Sequence, residues 1–257
     1  MVTQVWIHKK PSQKPGVIFV GLPGIGLVGK IVVDYFVKEL KPTKIAEITC
    51  DAFPAAVLTK NGLVDLFKDE IHHFTHAGKD YYILSGPVQP NWDQSSGSTE
   101  AQYDFARTLI TAFKELKIGE IYTLAGLHTD QRMTHKPQVV ISATDNKTLA
   151  DWKKLGAKAD QPEGMVWGVA GMLLGIGKTQ GIPGACLMGE TSGKLVYGDP
   201  GASKAVIDLL IKRFHFKIKM EKMDSEAKQI ETAFKKLADT VHNEEAKEKK
   251  GDLPYVR

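Results

Sequence analysis

The 257-residue chain has only two cysteines, Cys50 and Cys186. They sit in apolar, strand-like surroundings with no CxxC spacing and no histidine beside them, so they read as small buried hydrophobes of a reducing compartment. Charge of one sign is also lacking: 34 basic residues face 30 acidic ones, a formal net charge of +4. No run of arginines and no interleaving of aromatic with basic residues accompanies that balance, which argues against a nucleic-acid partner. Long hydrophobic runs are missing as well. The longest nearly apolar segment, Met165 to Gly177, is too short and too rich in glycine to cross a bilayer, and MVTQVWIHKK at the start has no basic head followed by an apolar stretch. The expectation is a cytoplasmic protein, neither secreted nor inserted in a membrane. What remains, 42% hydrophobic and 25% charged residues, is an ordinary globular balance in a chain long enough to bury a sizeable core.

Short β-rich runs alternate with helical patterns, which predicts an α/β protein with a largely parallel sheet covered on both faces. Val17 to Val20 reads as the first strand and runs through GLPGIGLVG into a helix, Leu27 to Leu40, stopped by Lys41-Pro42. Ile45 to Thr49 reads as a strand. Ala56 to Thr59 and Leu63 to Phe67 flank Asn61-Gly62, a dipeptide suited to a tight hairpin, and that antiparallel insertion makes the expected sheet mixed. Tyr81 to Leu84 precedes a helix near Thr99 to Leu116, where Thr99 and Gln102 fit a capping box. Ile121 to Ala125, Val139 to Ala143 and Ala185 to Met188 read as further strands. GMVWGVAGMLLGIGK reads as a helix whose glycines allow close approach of another backbone. Asp199-Pro200 supplies an N-cap and a first-turn proline for a helix reaching Arg213. Further on, Met220, Met223, Ala227, Ile230, Phe234, Leu237 and Val241 repeat at alternating spacings of three and four, the seam of a helix packed against another helix. Residues 1–218 are thus read as an α/β/α domain, 219–250 as a helix with a heptad seam and 251–257 as a flexible tip.

Gly24, Gly26 and Gly29 satisfy GxGxxG between a strand and a helix, with Glu47 near the end of the next strand. The intervening residues Leu22, Pro23, Ile25, Leu27 and Val28 are apolar, however, whereas a dinucleotide needs its pyrophosphate at an open helix N-terminus. Read as GxxxxGK[ST], the stretch places Gly24, Gly29 and Lys30 correctly, but Ile31 stands where a hydroxyl should hold magnesium. Gly21, Gly24, Gly26 and Gly29 are therefore read as a structural turn, with no cofactor. His72, His73 and His76 lie on a strand whose alternation puts His72 and His73 on opposite faces, and the reading is a solvated strand with no metal site. Asp130 with His135, and Glu190 with Thr191 and Ser192, occupy loops at strand ends and read as loop caps. No serine elbow or paired-carboxylate set is legible, so no catalytic residue is assigned.

VGLPGIGLVGK near the start, YTLAGLHT at 122–129, GMLLGIG at 171–177, CLMGETSG at 186–193 and DPGASKAVIDLL at 199–210 occur in that order. In these segments the chain resembles the proteasome assembly chaperone family, especially its archaeal members, over residues 15–215. The resemblance implies a three-layer α/β/α sandwich with a mostly parallel mixed sheet and a C-terminal helical extension. It also implies self-association into dimers or tetramers and a non-catalytic role in joining proteasome α-subunits into their ring. Members of that family use a C-terminal tail ending hydrophobic-Tyr-any residue, so Tyr255, Val256 and Arg257 become the expected partner contacts. Here tyrosine stands third from last. Ile230, Phe234, Leu237 and Val241 become the expected helix-packing or oligomer contacts. The competing class is an enzyme of nucleoside or nucleotide chemistry using the glycine loop and a pocket at the strand ends.

Overall fold

A computed structural model describes residues 2–11, 14–90, 99–130, 135–159, 163–192, 195, 198–228 and 232. Ten strands and the helices between them follow the alternation in the sequence. In chain order they are β1 (Thr3–Ile7), β2 (Gly16–Gly21), α1 (Val28–Leu40), β3 (Thr43–Cys50), β4 (Val57–Lys60), β5 (Leu63–Leu66), β6 (Asp69–His76), β7 (Lys79–Ser85), α2 (Thr99–Glu115), β8 (Ile118–His128), β9 (Val139–Ala143), α3 (Asn146–Leu155), α4 (Gly168–Thr179), β10 (Gly184–Thr191) and α5 (Pro200–Phe214). A three-residue 3-10 turn, Ile25–Leu27, joins β2 to α1.

Eight strands form one sheet in the order β1-β3-β6-β7-β2-β8-β10-β9. The run β7-β2-β8-β10 is parallel throughout, and β3 points the same way because it is antiparallel to β6, which is antiparallel to β7. The mixing comes from β1, β6 and β9. This corrects the expected source: β4 and β5 make a hairpin, with Asn61 and Gly62 at φ 52 and 79, but the hairpin is a separate two-stranded sheet. Positive φ at both central residues is what a type I′ turn demands.

Side-chain alternation along β2 divides the core in two. Val17 and Phe19 face α1, α3 and α5, while Ile18 and Val20 face α2 and α4, giving the three layers. α5 starts as its sequence dictates: the Asp199 carboxylate accepts a hydrogen bond from the Ala202 amide at 3.0 Å, and Pro200 occupies the first turn. Residues 221–228 continue as a helix. Met223 is buried among the side chains of α1 and α5, the Tyr35 hydroxyl donates to the Lys219 carbonyl at 2.7 Å, and Lys204 pairs with Asp224 at 3.4 Å. The seam thus begins on the chain's own domain. Ile230, Phe234, Leu237, Val241, Tyr255, Val256 and Arg257 lie outside the described residues.

Candidate functional site

The site is built at the C-terminal ends of β2, β8 and β10, where an open α/β sheet offers its crevice. Backbone packs on backbone here. A Cβ added at Gly21 would lie 2.2 Å from the Gly29 carbonyl oxygen, one at Gly29 2.0 Å from the Leu124 carbonyl oxygen, and one at Gly126 2.1 Å from the Ile25 carbonyl oxygen. Real side chains do not approach so closely, so these glycines let the turn and α1 sit directly on β8. Gly26 has φ +61 and its Cβ position is filled by Thr191, whereas Gly24 faces open space.

The features that a phosphate would use are already taken. Lys30, the residue in the P-loop lysine position, is hydrogen-bonded to Asp34, and the other oxygen of Asp34 accepts the Ser85 hydroxyl at 2.7 Å. Ile31 lies against Gly198, whose Cβ would come within 2.7 Å of its terminal methyl. Across the turn, buried Asp199 fixes the second loop. The Thr191 hydroxyl donates to its carboxylate at 2.9 Å, and its amide donates to the Gly26 carbonyl at 2.8 Å. Glu190 accepts the Gln138 amide at 2.9 Å, and Asp130 stands exposed with an oxygen 3.5 Å from His128 Nε2.

The histidine strand differs from the expectation. β6 lies inside the sheet between β3 and β7, so it is not solvated: His72 is buried and His73 partly so. His73 Nε2 is 2.7 Å from Asp80, and its ring lies 5.1 Å from that of Tyr82. His72 Nε2 is 3.2 Å from Glu70. The His72 bond, aided by Lys44 and opposed by burial, draws the Glu70 carboxyl down to about 2. His76 packs on Phe216 at 5.3 Å. Among the described residues no cluster of three or more histidine, cysteine or acidic side chains is placed to hold a metal ion.

Above the glycine turn opens a cavity of about 240 Å³. Leu22, Ile25, Leu124, Val166, Val169 and Met188 line it, together with Gln89 and His128, and among the described residues none of its lining is Asp, Glu, Lys or Arg. Its rim is apolar too: Met165 is 75% exposed, Trp167 63% and Ile25 39%. The rim has a fixed shape. Gly168 takes φ +71, turning extended Met165–Trp167 into α4, and Gly171 lets the helix pass over the Val166 carbonyl, which lies 1.9 Å from its Cβ position. The Gln89 side chain donates to the Pro23 carbonyl, tying the loop after β7 to the turn after β2. Sequence reasoning placed GMVWG inside a helix and so missed the rim residues Met165 and Trp167, and it missed Gln89. The available signal was the pair of large apolar residues among glycines with no periodic partner.

Fold and site together define a three-layer α/β/α protein whose first βα turn is locked by glycine contacts and whose strand-end crevice is lined, among the described residues, by apolar side chains with Gln89 and His128. A model of the PAC2 family matches residues 18–238, and the chain belongs to that family. Among its relatives is the Methanocaldococcus jannaschii protein MJ1210, 31% identical over 218 residues that make up 84% of this chain and 81% of that one. A crystal structure of Pyrococcus furiosus PbaB, described as an archaeal proteasome activator, is similar at TM-score 0.81 and 29% identity, covering 92% of this chain and 99% of that one. Pyrococcus furiosus PbaA, described as an archaeal homolog of proteasome-assembly chaperone, shares the fold at TM-score 0.69 and 21% identity, with 96% of each chain covered. No described helix is long and apolar enough to cross a membrane.

Proposed function

We propose that this chain is a non-catalytic assembly chaperone of the proteasome, binding α-subunits or the α-ring as a homo-oligomer in the cytoplasm. The observation that carries the reading is its likeness to PbaB over nearly the whole of both chains, with one sequence pattern and one fold. The crevice agrees with it, because a strand-end cavity whose described lining is mostly apolar, beside a Lys30 already bonded to Asp34, suits protein contact better than phosphate chemistry. Tyr255, Val256 and Arg257 are assigned to α-subunit contact, and Ile230, Phe234, Leu237 and Val241 to helix packing within or between subunits. Several copies of a weakly binding tail on one oligomer would give firm association with a ring of repeated pockets.

The test is capture of recombinant α-rings by the full chain and by a variant lacking residues 253–257, with oligomer mass measured by light scattering. Wild-type capture, weakened on truncation at unchanged mass, is expected. Equal capture by the truncated chain would move recognition onto the globular domain, and no capture by either would overturn the reading. Calorimetric titration with ATP, GTP and NAD separates the nucleotide-enzyme alternative; no saturable heat is expected.

A further inference from the structure

We propose that the crevice above the glycine turn is a receptor for one apolar side chain, aromatic or leucine, presented by an extended segment of a protein partner with a Lys or Arg beside that anchor. The inference deepens the proteasome reading by naming a surface of the globular domain that would meet the partner.

Size argues against a drug-sized ligand. The cavity holds about 240 Å³, below the roughly 300–1,000 Å³ that encloses a drug-sized molecule. It is larger than a cavity of about 150 Å³ that takes up benzene. One large side chain is the matching occupant. Composition disfavours ionised groups in the interior, since among the described residues no formally charged side chain lines it and an unpaired buried charge is heavily penalised.

The rim argues for a polypeptide. Trp167, Met165 and Ile25 line the mouth and remain exposed to solvent. An extended segment that seats one side chain in the cavity lays its neighbours across these three. Exposed tryptophan around a desolvated pocket is the usual composition of an interface hot spot, and methionine adapts to varied partners. Gly168 at φ +71 and the close passage of Gly171 over the Val166 carbonyl set the path of this rim.

Charge sets the flank. Asp130 is exposed two residues beyond His128, whose Nε2 lies 3.5 Å from it, and exposed Glu163 lies two residues before Met165, whereas among the described residues neither lysine nor arginine lines the mouth. A cationic neighbour of the anchor meets these carboxylates, and an acidic neighbour is repelled.

The probe is the blocked peptide acetyl-Gly-Arg-Phe-Gly-amide, titrated into full-length fluorotryptophan-labelled protein while the Trp167 fluorine signal, assigned with Trp167→Phe, is followed. A saturable shift is expected. Replacing Phe in the peptide by Ala should weaken binding about tenfold or more, as loss of a hot-spot anchor does. Replacing Arg by Asp should weaken it a few-fold, as exposed charge pairs do. Met165→Ser and Ile25→Ser, both at exposed positions and checked for unchanged melting, should each lower affinity. No shift, equal binding of the Ala peptide, or unchanged affinity in both variants overturns the site. A shift of the Trp167 signal on deleting residues 253–257 with no peptide present also overturns it, because the chain's own tip then fills the crevice. If peptide binds but wild-type protein captures no α-rings, the proteasome reading fails and the site stands. Capture without peptide binding gives the reverse.

Discussion

The two faces of the sheet are packed on different principles. Under α1, α3 and α5 the core is aromatic: the Phe19 ring lies 5.2 to 6.2 Å from those of Phe36, Tyr81, Tyr122, Phe214 and Phe216, and Trp152 closes on Tyr122 and Phe214. Under α2 and α4 it is largely aliphatic, and α4 carries Gly168, Gly171, Gly175 and Gly177 in twelve residues. A groove of about 630 Å³ runs between α2 and α4, and the crevice opens at the N-terminal end of α4. Interlocked rings fill one face, whereas Gly171 and Gly175 line the groove on the other. The crevice lies between the two, lined by Leu124 and Gly29 from one side and by Val20 and Val169 from the other.

The strongest way to break this comparison is a pair of truncations. Phe19→Ala should cost about 3–5 kcal/mol, at the upper end because five rings surround the void, while Leu173→Ala on the glycine-bearing face falls within about 2–5 kcal/mol and should be the smaller loss. Urea denaturation of both variants measures it. A larger loss at Leu173 would show that the aliphatic face carries the fold.

A middle-sized effect concerns Asp69, which shares the Ile71 side of β6 and is fully buried with neither oxygen in a well-formed hydrogen bond. Burial raises its carboxyl well above the usual range, offset only in part by the Val88 amide and the charge of Lys30. The native state then keeps a proton that the unfolded chain releases above about pH 3.9, so Asp69 lowers stability as pH rises from there toward its native value. Asp69→Asn should flatten that decline and raise the melting temperature at neutral pH more than in mild acid. An unchanged pH slope would show that the carboxylate is solvated or paired when folded.

The smallest effect is also a stabilisation. Nothing lies within 4 Å of a Cβ added at Gly175, a mid-helix position, so Gly175→Ala should stabilise by about 0.5–1 kcal/mol. A loss in thermal scans would mean that another backbone lies against this face in solution.

Local chemistry was the legible part of the structure. Asn61-Gly62 located a hairpin, Asp199-Pro200 located the start of α5, and the apolar run Val17 to Val20 located a strand. Non-local pairing was not legible. β6 reads DEIHHFTH, a polar strand by composition, and is interior because β3 and β7 flank it and Asp80 takes up His73. β1 has a short, ordinary sequence and exists as an edge paired to β3. The sequence contained the glycines of the turn, but their contacts with Leu124 and Ile25 across the sheet depend on strand order. The crevice was hidden for the same reason: Gly168 ends a continuous apolar pattern through its φ, which no periodicity records.

The β4–β5 hairpin has a consequence for how such a chain can diversify. Ile48 and Asp69 are direct partners in the main sheet, so the chain between them leaves and returns at one place, and Val57, Leu58, Leu63, Val64 and Leu66 stay exposed on the excursion. Doubling such a loop costs only about 0.6 kcal/mol in closure entropy. Residues 54–66 thus form a cassette: their length and side chains can drift, acquiring or losing a contact with another molecule, while Phe53, β3, β6 and every register beyond them stay as they are.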